Sequence, residues 1–311
     1  MNFRISKFKN SKSSYNMTYY FFNLLSHHIC RIIIFIFFFI SHFITLNAQF
    51  VEVGGFVGVL SFNGDVNVGG VLTNSDAAFG AFLRCTPNSR LSVKLGFLKG
   101  NLVANDRNSL EPKIRERNFN LKSDLMEFSL STEFNILSFN PRIESQVFTP
   151  YIGLGISIIK FNPKTNYNNE WIELQPLGTE GQGLNGYPEP YKLIQATIPV
   201  LCGIKYSIGE QINIGLEFGY RFTFTDYLDD VSTIYISPNL LSQNGDLSVA
   251  LSNRTEEYTG FPADELVGNR RGNSNNFDAY IAWGFNLSFN LFTKKKQLEF
   301  ESTPYIINKW F

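Results

Sequence analysis

The stretch FDAYIAWGFNLSFNLF, Phe277 to Phe292, places Phe277, Ala279, Ile281, Trp283, Phe285, Leu287, Phe289 and Leu291 at every second position. Asp278, Tyr280, Ala282, Gly284, Asn286, Ser288 and Asn290 stand between them. Successive side chains of a strand point to opposite faces, so this is a strand with one apolar and one mostly polar side. Strands in globular proteins usually run about five or six residues. A pattern this long and this evenly divided needs a thick apolar layer on one side only. The rest of the chain decides whether that layer is a protein core or lipid.

Seven further segments repeat the alternation. In INIGLEFGYRFTFT, Ile212, Ile214, Leu216, Phe218, Tyr220, Phe222 and Phe224 oppose Asn213, Gly215, Glu217, Gly219, Arg221, Thr223 and Thr225. In LMEFSLSTEFNI, Met126, Phe128, Leu130 and Phe134 oppose Glu127, Ser129, Ser131 and Glu133. PYIGLGISII and the segment 192–206 follow the same rule, and FVEVGGFVGVL, DAAFGAFLRC and RLSVKLGFL are glycine-rich versions of it. The links between the eight segments sort by length. Those at 86–89, 137–148 and 207–211 are short, whereas 61–75, 99–117, 161–191 and 226–276 are longer and polar.

Strict alternation of short and long links is expected of an outer-membrane barrel, with brief periplasmic turns and extended surface loops. A backbone can leave water for hydrocarbon only if no sheet edge stays open. The sequence therefore predicts an all-β fold: an eight-stranded antiparallel up-and-down transmembrane β-barrel with long extracellular loops, spanning 49–292. Its apolar faces are expected to meet outer-membrane lipid, with Tyr151, Phe161, Tyr206, Tyr227, Phe277 and Phe292 as interfacial girdles. On this orientation the lumen holds Lys94, Glu127, Glu133, Lys205, Glu217 and Arg221, paired with one another among Ser, Thr, Asn and Gly.

The start of the chain fits export to that membrane. Arg4, Lys7, Lys9, Lys12 and Arg31 precede or border the apolar run Ile32–Ile40, and Ala48 closes the segment, the order of a secretory signal peptide over 1–48. Without that segment, 22 basic residues face 27 acidic ones, a net charge of −5. A mildly acidic chain with no basic cluster is no nucleic-acid partner. After Phe292 comes Lys294-Lys295-Lys296, a solvated stop, and the residues 293–311 are expected to form a periplasmic tail. Cys85 and Cys202 lie on apolar strand faces far apart in the chain and read as small apolar fillers.

All three histidines, His27, His28 and His42, belong to the signal. This removes Ser-His and Cys-His nucleophile systems and histidine-based metal sites from the exported chain, so neither catalysis nor a cofactor is expected. Two loop stretches are less ordinary. NPKTNYNNEWIELQPLGTEGQGLNGYPEP sets Trp171 and Glu180 among Gly178, Gly181, Gly183 and Gly186; with no phosphate-loop lysine after them, the glycines read as tight turns. FTDYLDDVSTIY places Asp226, Asp229 and Asp230 beside aromatics, and adjacent acids in a polar loop read as solvated. Their spacing lacks the interleaved pattern of a calcium loop.

Seven stretches, NGDVN, AFG, VAND, SDLMEFSLSTEFN, FTPYIGLGIS, PLGTEGQG and FTDYLDDVST, carry a resemblance. The chain resembles a family of outer-membrane barrels from Bacteroidota that includes the PorG-like component of the type IX secretion system. The likeness spans about 49–292, with PLGTEGQG and FTDYLDD its most specific parts and 236–276 an insertion-like departure. It implies a non-enzymatic envelope protein that partners the periplasmic ring of the machinery for protein secretion and, in many members, gliding motility. Two other expectations stand beside it: a surface binding or adhesion barrel acting through 161–191 and 226–276, and a narrow solute channel.

Overall fold

The computed structural model describes residues 50–66, 74–262 and 264–293. The expected signal peptide at 1–48 and the tail beyond Thr293 lie outside the described residues.

Among the described residues nine strands form: β1 (Phe50–Asn63), β2 (Ser75–Asn88), β3 (Leu91–Asn105), β4 (Asn120–Asn135), β5 (Phe148–Tyr167), β6 (Glu170–Glu173), β7 (Ile194–Ile208), β8 (Ile212–Thr223) and β9 (Ala279–Thr293). Eight of them close a barrel in the order β1-β2-β3-β4-β5-β7-β8-β9, with β9 returning to β1 and every pairing antiparallel. β6 pairs only with β5, as a hairpin outside the closed ring. The short links gather at one end of the barrel and the long ones at the other. Among the described residues no helix is long and apolar enough to cross a membrane, which leaves crossing by strands open.

Several strands outrun their apolar pattern. Segments 99–105, 120–124 and 161–167, expected in links or outside strands, continue β3, β4 and β5. The ladder persists there with polar cross-strand pairs in place of apolar ones: Asp124 stands between Asn101 and Asn162 on the neighbouring strands, and Lys164 reaches Asp124 at 2.8 Å. Hydrophobic period marks where a strand meets an apolar medium, and hydrogen bonding carries it further.

The outer face is apolar on all sides. Ile156 is 67% exposed, Phe128 63% and Phe285 68%, and Leu95, Ile152, Leu154, Ile158, Leu216 and Leu287 share that face. A soluble monomer rarely exposes so continuous a patch. Two residues of the terminal pattern depart from it, since Ala279 and Ile281 are buried. Asn63 on β1 donates to the hydroxyl of Tyr220 on β8 at 3.1 Å, and this bridge crosses the face of β9 at the level of those two residues. The girdle also needs correction: Tyr151 and Phe161 point inward and are fully buried, Tyr227 is half-buried in a loop, while Tyr206 and Phe277 are exposed.

The interior is filled in two layers. Near the short turns it is polar, built from Glu52, Arg84, Lys94, Glu133, Lys205 and Glu217. Towards the long loops it becomes a dry core in which Leu60, Phe62, Leu98, Leu102, Leu125, Ile159 and Phe161 pack with the loop residues Phe119, Leu228, Val231 and Tyr235. The expectation of an inner face made of charged residues, Ser, Thr, Asn and Gly therefore holds for one half only. Where loops fold into the mouth they exclude water, and an inner face in contact with them has to be apolar.

Gly58 and Gly284 stand opposite each other on β1 and β9. The Phe56 ring lies over both, 2.7 Å from where a Cβ on Gly58 would sit and 3.0 Å from one on Gly284. Gly284→Val should press its Cβ against the Val57 carbonyl and, 2.5 Å away, the Gly58 Cα, as well as the ring, and lower stability by at least about 1–3 kcal/mol through overpacking. Gly55→Ala, whose added Cβ meets only the Gly80 carbonyl at 3.6 Å, should be neutral. Denaturant midpoints of the detergent-refolded barrel measure both, and equal midpoints would contradict the close fit.

Candidate functional site

The inward-facing charges form one connected stack. Arg84 donates to Glu52 at 2.9 Å and to Glu133 at 3.2 Å, and Lys205 donates to Glu133 at 2.9 Å. One level higher, Glu217 accepts from Lys94, from the Tyr151 hydroxyl at 2.8 Å and from Asn286 at 3.2 Å. Above that, Glu127 pairs with Arg221 at 3.3 Å and accepts from Tyr280 at 2.6 Å. The Phe82 ring separates the first two levels, with Arg84 and Lys94 each 4.8 Å from its centroid. All six lumen residues anticipated from sequence thus lie inside and paired. Arg84 and Glu52 were missed, although alternation marks both: Glu52 sits between Val51 and Val53, and Arg84 between Leu83 and Cys85.

The mouth is closed by a second polar assembly, built from all four long loops. Glu180 accepts from the backbone of Ser232 at 2.8 Å and of Thr233 at 3.0 Å, and from the Thr233 hydroxyl at 2.7 Å. Asp230 accepts from Thr179 at 2.5 Å and from Tyr191 at 2.7 Å. Arg271 binds Glu180 at 2.9 Å and reaches the carbonyl of Asp230. The two loop stretches singled out in the sequence, around Glu180 and around Asp230, are therefore each other's partners. The insertion-like segment 236–276 supplies the arginine between them.

Asp226, Asp229 and Asp230 are buried, which corrects the expectation of solvated acids. Asp229 accepts from the backbone of Val66 and of Val231, both at 3.0 Å, and Asp278 accepts from Leu228 at 2.8 Å. Nearby, Arg117 grips Asp106 with two bonds, at 2.8 and 2.9 Å. Gly178, Gly181 and Gly183 take positive φ of 57°, 84° and 84°, the tight turns that bring Glu180 back across the mouth. Trp171 stands apart from this assembly, half exposed on β6.

Burial raises the loop carboxylates. Asp226 is pushed up to about 7, mainly by burial and further by Asp65 and Glu180, against a hydrogen bond from Ser232. Asp230 rises to about 6, burial outweighing Arg271, Thr179 and Tyr191. Asp229 also rises, through burial and the like charge of Asp65, and Asp278 rises through burial and the like charges of Asp229 and Asp226. Among the described residues no group of three acidic or thiol side chains is placed to hold a metal ion. The arrangement is a latch of buried, hydrogen-bonded side chains that ties the loops together across the mouth.

The family profile of a domain of unknown function (DUF6089) matches residues 30–237. No curated protein matches the sequence. Among solved structures, the chain is similar to Neisserial surface protein A, NspA, at 8% identity and a TM-score of 0.38, covering 77% of this chain and 96% of that one. It is similar to Ail, the attachment invasion locus protein of Yersinia pestis, at 8% identity and a TM-score of 0.39, covering 78% and 99%. For the N-terminal β-barrel domain of Pseudomonas aeruginosa OprF the figures are 9%, 0.33, 78% and 98%.

Two outcomes follow. Glu133→Gln leaves Lys205 without a counter-charge and Arg84 half paired, and should cost about 3–5 kcal/mol in the urea midpoint of the folded barrel. Adding Lys205→Met should recover more than half of that, and an unchanged midpoint in the single variant would contradict the stack. For the latch, carboxylates raised above an ordinary value of 3.8 favour the closed loops below that pH and lose this contribution as pH climbs through about 6 to 7. Amide exchange over 226–235, corrected for intrinsic rate, should be slower at pH 5 than at pH 8; the reverse order would refute the sign.

Proposed function

The chain belongs to the DUF6089 family, and we propose that it is a non-enzymatic β-barrel of the outer membrane serving as a structural or assembly component of the type IX secretion system. The observation that carries the membrane reading is the continuous apolar exterior wrapped around a filled interior. In water that exterior is a liability; in acyl chains it is the favoured surface, and the closed ladder leaves no unpaired edge in hydrocarbon. The short turns then face the periplasm and the long loops the outside. Exported, the chain keeps no histidine beyond His42, which supports a role without histidine-based catalysis.

Assembly fits the interior better than transport. The charge stack and the dry core occupy the axis, and the latch closes the outer end, so a solute path would require breaking both. The secretion role itself rests on the resemblance in PLGTEGQG and FTDYLDDVST, the two stretches that interlock across the mouth. Periplasmic ring proteins are the partners this reading assigns to the turn end.

Deleting the gene in its host should abolish release of cargo bearing the C-terminal secretion signal and stop gliding, both restored by the wild-type copy. Undiminished secretion and motility in the deletion strain would remove the secretion role. Steady conductance of the purified barrel in planar bilayers would replace it with the channel reading.

A further inference from the structure

Beside the latch, and separate from it, the long loops enclose an open cleft of about 380 Å³. Its walls carry Asn105, Asn120, Asn168, Asn169, Arg107 and Trp171. Trp171 is 49% exposed. Such a lining is unusual for a protein surface: one large aromatic face surrounded by primary amides, with cations and little aliphatic surface.

The cleft is held rigidly. Asn168 and Asn169 form the two-residue turn between β5 and β6, both with positive φ (52° and 64°), so the hairpin presents Trp171 on a tight, short arm. Arg254 ties the last long loop to that hairpin, donating to the Thr165 hydroxyl at 3.0 Å and the Asn166 carbonyl at 3.1 Å. Glu257 holds Arg254 in turn with bonds of 2.9 and 2.7 Å. Asn120 accepts from Thr165 and from the Asn166 backbone at 3.0 and 2.7 Å, fixing the opposite wall. The charge of Arg254 is therefore matched. That of Arg107 is not: its Nε donates to Asn118 at 2.9 Å, and its two terminal nitrogens have no protein partner among the described residues. Lys122 adds a second cation, 5.7 Å from the Trp171 ring.

We propose that this cleft binds an acidic saccharide, a sugar face stacking on Trp171, hydroxyls meeting the asparagine amides and an anionic substituent meeting Arg107. An amide offers donors and an acceptor at one site, as a sugar hydroxyl does; Asn105 and Asn120 spend their oxygens on Arg107, Thr165 and Asn166 N–H or O–H groups, and the side-chain amides of Asn166, Asn168 and Asn169 are the ones that meet hydroxyl groups. The C–H face of a pyranose is the apolar counterpart of the indole ring. A free guanidinium fork matches a carboxylate or sulfate with two parallel bonds. The proposal is independent of the secretion role, because every residue in it lies at the long-loop end of the barrel, on strand ends or loops, away from the turn end to which that role assigns its partners.

The test uses the full-length barrel in detergent on an array of uronate-, sialate- and sulfate-bearing oligosaccharides and their neutral counterparts, with delipidated surface polysaccharide from the producing cell beside them. Binding of acidic members in preference to neutral ones is expected, and the last sample separates the cell's own glycan from a foreign one. For the strongest ligand, Trp171→Ala should weaken binding by about tenfold or more, Trp171→Phe should keep most of it, and Arg107→Gln should erase the preference for acid over neutral sugar. Heat-modifiable gel mobility verifies that each variant is folded. A blank array, or a folded Trp171→Ala variant that binds as the wild type does, overturns the proposal.

Discussion

Closure between β1 and β9 is the constraint on which the remainder of the structure depends. A strand facing hydrocarbon has nowhere to place an unpaired N–H or C=O except against another strand, so the ring must be complete before the exterior can become apolar. Once it is, each side chain has two destinations only. The period of two in FDAYIAWGFNLSFNLF is the imprint of that choice. It fails at Ala279 and Ile281, where the Asn63–Tyr220 bridge marks the level at which the strand leaves the apolar zone.

Inside, burial forces the charges to find one another. Arg84 between Glu52 and Glu133, and Lys94 against Glu217, occupy a medium where an unmatched ion is far more costly than in water. Such pairs contribute little net stability over a well-packed apolar core, yet they penalise any register that separates them, because a slip of one residue would turn carboxylates and cations outward. The stack therefore acts as a check on strand register. Towards the loops the same requirement is met differently, by Leu60, Leu102, Leu125 and Phe161 closing over loop residues, and no counter-charge is needed.

The sequence made legible what depends on neighbours two residues away. The number of barrel strands, their closure, the sidedness of the long loops and the inward direction of Glu127, Glu133, Glu217 and Arg221 follow from alternation and link length, and Glu52 and Arg84 were readable by the same rule, whereas the β6 hairpin arm inside the expected link 161–191 was not. What it concealed depends on residues far apart in the chain. Nothing near Asp230 indicates that Thr179 and Tyr191 donate to it, or that Arg271 approaches from another loop, so acids that read as solvated are buried. Polar continuation of β4 and β5 was hidden for a related reason: a ladder carried by Lys164 and Asp124 leaves no hydrophobic period to detect.

A barrel filled along its axis and sealed at its mouth confines function to its two ends and its outer wall. The turn end offers short connections and the loop end offers sculpted surface, and the latch determines how sculpted that surface is. Glu180 joins the third long loop to the fourth, Arg117 and Asp106 brace the second, and Asp65 and Val66 bring in the first. With those loops fixed against one another, Trp171 and Arg107 project from a frame that does not need to order itself when something binds, and the entropy cost of recognition falls accordingly. The buried carboxylates of the mouth thus act at a distance. By holding the loops shut, they shape a surface that none of them touches.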